Sequence, residues 1–324
     1  MSGPIAITPW WWAGFIVCIL FFLALDLGVF HRGTRTVRFK EALAWSAVWC
    51  ALSMAFALVL LHWRGHREAV EYVTGYVIEL SLSLDNVFVI ALIFSYFKVA
   101  PEARHRLLFW GILGALVMRG IMIGLGVELV QQFGWLLYVL GGFLALTGFK
   151  MLYDSLKRSK DERNVAISIT ERFFLVKGEG AAARFVPRRW PSVSIKPLLL
   201  VLCLVEFTDL IFAFDSIPAV FSVTTKPFIV FTSNVFAILG LRSLYFVLAE
   251  LIVYFRHLKT GLSVVLVFIG CKMLMDPHDD PPKWFQIAIP TSVSLMVVAG
   301  ILLIAIALSV TAARRDKSGH SDVL

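Results

Sequence analysis

The chain has 324 residues, 59% of them hydrophobic and only 16% charged, with a mean hydropathy of +0.82. That excludes a disordered chain, a disulfide-stapled secreted domain and an ordinary soluble enzyme, because a soluble domain of this length needs far more polar surface. The formal charge of +8 does not mark a nucleic-acid partner: the basic residues sit in short clusters between long apolar runs, with no aromatic-interleaved basic face. Cys18, Cys50, Cys203 and Cys271 each fall inside an apolar run and form no CxxC pair, so neither a disulfide framework nor a thiolate metal site is expected.

A spanning helix needs about 20 mostly apolar residues. Nine runs qualify, at residues 10–30, 41–61, 73–97, 107–128, 133–153, 197–222, 228–252, 258–275 and 284–311. The expected fold is therefore all-α, a polytopic membrane protein of about nine transmembrane helices. The first run has no positive n-region and no small-residue cleavage site, and is too long for a signal sequence, so it reads as a span. Between the fifth and sixth runs lies a basic loop without a catalytic motif. Within it, Phe173–Val176, Lys177–Gly180 and Phe185–Val186 predict a small hairpin.

Lys and Arg set the orientation. With loop 154–196 in the cytoplasm and the others alternating, 22 of the 30 basic residues fall on cytoplasmic segments. Only Arg64, Arg67, Lys226 and Lys283 lie outside, and Arg119, Lys150, Arg242 and Lys272 lie within or beside spans. The expected topology is N-terminus outside and C-terminus in the cytoplasm.

Sliding the chain against itself by 122 residues aligns 127–154 with 249–276 without a gap. Gly148 meets Gly270, Lys150-Met151-Leu152 meets Lys272-Met273-Leu274, and Asp154 meets Asp276. Upstream, with gaps, Arg119 pairs with Arg242, while Glu79 and Asp85 pair with Asp209 and Asp215. Each copy covers three spans, an odd number, so the second is inverted relative to the first. The chain then divides into two N-terminal spans (1–72), a first repeat (73–154), a basic cytoplasmic loop (155–197), an inverted second repeat (198–276), and a last span with a basic tail (277–324). Inverted repeats are an architecture of secondary transporters, which bind substrate near the midplane.

Two spans carry acids where lipid should be. The third reads Glu79-Leu-Ser-Leu-Ser-Leu-Asp85-Asn86, and the sixth contains Glu206, Asp209, Asp215, Ser216 and Pro218. Each charge facing lipid costs about 2.5–3.5 kcal/mol, so these five carboxylates require counter-charge. Arg119 and Arg242 could balance two of them, leaving a mobile cation as the economical partner of the rest. A purely structural role with the arginines, and a metal-free proton relay, are the competing readings. On a straight helix Glu79 and Asp85 point about 120° apart. Pro218 is expected to break the sixth span and free the Phe214 carbonyl beside Asp215.

The histidines lie in loops, tails or span ends, so a metal site here would use carboxylate, amide, hydroxyl and carbonyl oxygens. The candidate ligands are Glu79, Asp85, Asn86, Glu206, Asp209, Asp215 and Ser216, a set that suits Mg²⁺, Ca²⁺ or Mn²⁺. Lys150 and Lys272 are expected to snorkel at opposite membrane faces. Asp26, near the cytoplasmic end of the first span, is expected to pair with Arg32 or to snorkel, and Glu128 and Glu250 read as solvated edge charges.

The segments IELSLSLDNVFV (78–89), LVEFTDLIFAFDSIPAVFSVTTKPFIVFTSNVFAILGLRSLYF (204–246) and GCKMLM (270–275) resemble the TerC/Alx family of membrane proteins. The likeness runs over essentially the whole chain. It implies manganese export across the bacterial inner membrane, and it selects Mn²⁺ among the hard divalent ions. Position by position it points to Glu79, Asp85, Glu206, Asp209 and Asp215. It implies no prosthetic group and no enzymatic activity; the partners expected are the metal ion and the bilayer, with proton exchange as a candidate coupling. A non-transporting membrane assembly factor, or one tied to tellurium resistance, is the alternative. The GxGD signature of an intramembrane aspartyl protease is absent.

Overall fold

The chain is described by a computed structural model at residues 9–30, 39–97, 99–156, 174–177, 184–187, 197–251, 258–276 and 286–321. These residues form nine helices: α1 (Pro9–Phe30), α2 (Phe39–Arg64), α3 (His66–Tyr96), α4 (Pro101–Gln132), α5 (Leu136–Leu156), α6 (Pro197–Phe221), α7 (Pro227–Leu251), α8 (Leu258–Met275) and α9 (Thr291–Ser321). Seven contain a stretch long and apolar enough to cross a membrane, and α1 adds the shorter apolar segment Pro9–Phe22. The remaining helix, α6, carries Glu206, Asp209 and Asp215 within the same length. The chain is a multi-pass helical membrane protein.

The expected hairpin is present. Strand β1 (Phe174–Lys177) pairs antiparallel with β2 (Arg184–Pro187), with Leu175 opposite Val186. Most of the loop around it, with the Asp26 and Glu250 side chains, lies outside the described residues.

Helix α3 begins seven residues before the apolar run that predicts it. Its first turns extend past the apolar stretch because Arg64 pairs with Glu68 and Arg67 with Glu71, each an i,i+4 contact. Only Gly65 separates α2 from α3. Its φ of +90° suits a residue without a Cβ, and its N–H bonds back to the Leu60 carbonyl at 3.2 Å.

Pro218 does not break α6. The helix runs through it to Phe221. The proline lies in the last turn, and at membrane depth continued helix costs less than exposed backbone. Helix α3 is likewise continuous from His66 to Tyr96.

Helix α7 is the centre of the bundle and is almost wholly buried, whereas α2 and α9 show most of their surface outward. It packs on α2, α3 and α4, and α6 packs on α3, α4 and α5. Helices α5 and α8 approach most closely through small residues. A Cβ on Gly148 would stand 2.7 Å from the Val267 nitrogen, and one on Gly270 would collide with the Ala145 backbone. These two contacts are mates: Gly148 and Gly270 correspond under the 122-residue shift, as do Ala145 and Val267.

Candidate functional site

The polar centre of the bundle is built around Arg119 of α4. This side chain is 2% exposed, inside a helix with no other charge at that depth. Its Nε donates to Asp209 Oδ2 at 3.2 Å and its Nη2 to Asp209 Oδ1 at 3.1 Å, a bidentate pair with α6. Nη1 faces Glu79 of α3 and also donates to Asn234 Oδ1 of α7 at 3.2 Å and to Ser216 Oγ at 3.5 Å. Two amides complete the set. Asn234 Nδ2 donates to Glu79 Oε2 at 2.9 Å, and Asn86 Nδ2 to Asp209 Oδ1 at 2.5 Å. One guanidinium thus ties α4 to three other helices and serves two carboxylates at once.

The other three acids are placed differently. Glu79 is fully buried and Asp209 is 4% exposed, but Asp85, Glu206 and Asp215 are only half-buried. Asp85 and Asp215 lie within electrostatic reach of each other, as do Glu206 and Asp209. The 120° between Glu79 and Asp85 on a continuous helix fits the division: Glu79 meets Arg119, and Asp85 lies within reach of Asp215. The Glu206 carboxylate lies against α4 at Gly114, where any side chain would collide with it. Neither Glu206 nor Asp215 makes an ion pair among the described residues. Among those residues, no three His, Cys, Asp or Glu side chains converge closely enough to hold a metal ion in this arrangement.

Of the seven proposed ligands, Glu79, Asn86, Asp209 and Ser216 are therefore gathered by Arg119, while Asp85, Glu206 and Asp215 flank that cluster. Arg242, the sequence partner of Arg119, is found elsewhere. Its Nη2 lies 3.2 Å from His105 Nδ1, at a level of α4 about 21 Å from Arg119 at 1.5 Å per residue.

Lys272 corrects a sequence expectation. It does not snorkel: it is 3% exposed, and its Nζ donates to the Ser222 carbonyl at 2.7 Å and pairs with Asp276 at 3.4 Å. Docking α8 against the end of α6 leaves a carbonyl there that a buried ammonium satisfies. Lys150 is exposed, as a snorkelling lysine requires, and Glu128 sits on the surface with Gln132.

Sequence reasoning missed Asn234 and the ionic cluster at the α2–α3 corner. Asn234 is a lone amide at mid-span, and that position was its available signal. In the corner cluster Lys226 reaches Glu68 at 3.2 Å and Glu71 at 3.0 Å, and Thr224 donates to Glu71 at 2.9 Å. This joins the start of α3 to the α6–α7 connection.

Comparison with known proteins adds the following. Residues 64–317 match the integral membrane protein TerC family. The chain is 44% identical over 315 residues to "Uncharacterized membrane protein STKORF319" of Myxococcus xanthus, covering 97% of this chain and 96% of that one. It is 44% identical over 311 residues to "Putative membrane-bound redox modulator Alx" of Escherichia coli K12, covering 91% and 92%. A Rickettsia bellii membrane protein is 38% identical over 299 residues, covering 92% and 96%. No solved structure matches.

Proposed function

Because the chain belongs to the TerC family of integral membrane proteins, we propose that it is a secondary transporter exporting a hard divalent cation, Mn²⁺ first, across the bacterial inner membrane. The observation that carries this reading is the charge imbalance at the centre of the bundle. Arg119 supplies one positive charge to Glu79 and Asp209 together, and Glu206 and Asp215 add two more carboxylates without an ion pair among the described residues. A bundle held together by salt bridges alone does not need the excess. A permeating cation supplies it, and Asp85 beside Asp215 extends the same negative path.

The packing supports inverted repeats. Exchanging α3–α4–α5 for α6–α7–α8 turns the α3–α7 contact into α6–α4, and both are present. The Gly148–Val267 and Gly270–Ala145 contacts exchange in the same way, which is the reciprocity a two-fold relation demands. The basic-residue split supports an N-terminus outside and loop 154–196 in the cytoplasm.

The name of the Escherichia coli relative speaks of redox modulation. In this chain Cys18, Cys50 and Cys203 are exposed on the outer faces of their helices, and the polar centre is built of oxygen and nitrogen groups. The reading therefore rests on the carboxylates.

The experiment is Mn²⁺ flux in proteoliposomes with a proton gradient imposed in each direction. Flux should depend on the gradient, and Ca²⁺ or Cd²⁺ should compete, since oxygen ligands discriminate weakly among these ions. Protons and metal compete for the same oxygens, so affinity should rise between about pH 6 and pH 8. A flat profile would remove proton exchange from the mechanism.

A further inference from the structure

We infer that Arg119 is a built-in counter-ion that trades places with the transported cation at Glu79 and Asp209, and that this exchange lets the unloaded carrier return. The inference rests on the transport reading above. Its basis is that three of the inner pair's four carboxylate oxygens accept hydrogen bonds and the fourth, Glu79 Oε1, meets Arg119 only as an ion pair. Glu79 Oε1 faces Arg119 and Oε2 accepts from Asn234; Asp209 Oδ1 accepts from Asn86 and Arg119, and Oδ2 from Arg119. A hard divalent ion needs such oxygens at about 2.0–2.6 Å. It cannot take them while the guanidinium stays.

Leaving breaks no backbone hydrogen bond. All the partners given for Arg119 are side-chain oxygens on α3, α6 and α7, so it can withdraw without unwinding a helix. The charges also exchange sensibly: one guanidinium against two carboxylates leaves one negative charge, whereas a divalent ion neutralises both.

A second arrangement of this cluster is written into its unused atoms. Glu79 Oε1 and Asn86 Oδ1 are buried oxygens of the cluster with no hydrogen-bond partner, and Ser83 Oγ, one turn from Glu79 on α3, is a third. The Asn86 amide already lies against Asp209. Buried polar atoms left unsatisfied call for an explanation. Neutral oxygens beside an acid that a cation could reach provide one.

When the cation departs, two buried carboxylates would otherwise stand uncompensated at membrane depth. Arg119 cancels one of the two charges and donates hydrogen bonds to the other carboxylate's cluster, so the carrier can reorient without cargo. Without it, the carrier can cross only when loaded.

The test compares wild type with Arg119→Gln and Arg119→Lys in three measurements: equilibrium Mn²⁺ binding, Mn²⁺-induced thermal stabilisation, and flux. Flux is run as net uptake into Mn²⁺-free vesicles and as exchange of labelled for unlabelled Mn²⁺. Arg119→Gln should bind Mn²⁺ about tenfold more tightly or better, equivalent to about 1.4 kcal/mol. It should gain more thermal stability from Mn²⁺ than wild type does. It should keep exchange and lose net uptake. Arg119→Lys keeps a cation but not the bidentate fork, so it should bind more tightly than wild type and retain part of the net flux. If Arg119→Gln fails to fold, Arg119→Lys carries the comparison. Affinity unchanged or weakened, or net flux and exchange falling together, would overturn the inference and leave Arg119 a structural clamp. A wild type that binds no divalent ion would instead overturn the transport reading itself.

Discussion

The two sets of carboxylates in the bundle are related by the same internal correspondence, yet they live differently. Glu79 and Asp209 are sequence mates, and both are buried and held by Arg119. Asp85 and Asp215 are also mates, six residues further along each helix, and both are half-exposed. Helices α3 and α6 therefore each contribute one buried acid at Arg119 and one half-buried acid. Burial and contact with Arg119 together set the two pairs apart. The pair at Arg119 organises four helices, while Glu206 and Asp215 make no ion pair among the described residues.

The largest effect should come from attacking the clamp. Arg119→Met leaves Glu79 and Asp209 buried without their cation, and breaking a buried pair in this way costs about 3–5 kcal/mol. Thermal unfolding of the purified protein in detergent should fall accordingly. A stability equal to wild type would mean that the pair is not the centre of the fold.

Lys272→Met probes a second buried charge, one outside the acid cluster. It strands the Ser222 carbonyl and Asp276, so about 1–3 kcal/mol should be lost on the same unfolding assay. Transport per folded molecule should be unchanged, which separates this lysine from the site.

Gly114→Ala sharpens the contrast from the open side. The new methyl group collides with the Glu206 carboxylate, a flexible side-chain end that can move away. Stability should change by less than about 1 kcal/mol, while Mn²⁺ affinity should drop. Unchanged affinity would take Glu206 out of the cation path.

The smallest effect belongs to the corner cluster. Lys226 is partly exposed, so Lys226→Ala should cost no more than about 1 kcal/mol despite its contacts with Glu68 and Glu71.

Much of this was legible in the sequence because length and hydropathy dictate spans, and acids inside spans are conspicuous. The nine runs, the hairpin at β1–β2 and the positions of the acids required only periodicity and composition. What could not be read was which charge meets which. Arg119 and Arg242 look equivalent in the repeat, but one faces the acids and the other faces His105, because that depends on how four helices approach. Lys272 looked like a snorkelling residue because its depth in the membrane is legible and its neighbour, the end of α6, is not. Pro218 looked like a break because its chemistry forbids one hydrogen bond. The membrane, which penalises exposed backbone more, keeps the helix continuous.

The most direct test of the central claim, that the half-buried acids lie on the path of a mobile cation, is Mn²⁺ flux by the Asp85→Asn, Asp215→Asn double variant in proteoliposomes, normalised to folded protein. The account predicts flux at the level of protein-free vesicles, with yield and thermal stability at least equal to wild type because two charges have been removed from the membrane interior. Wild-type flux from a well-folded double variant would contradict it.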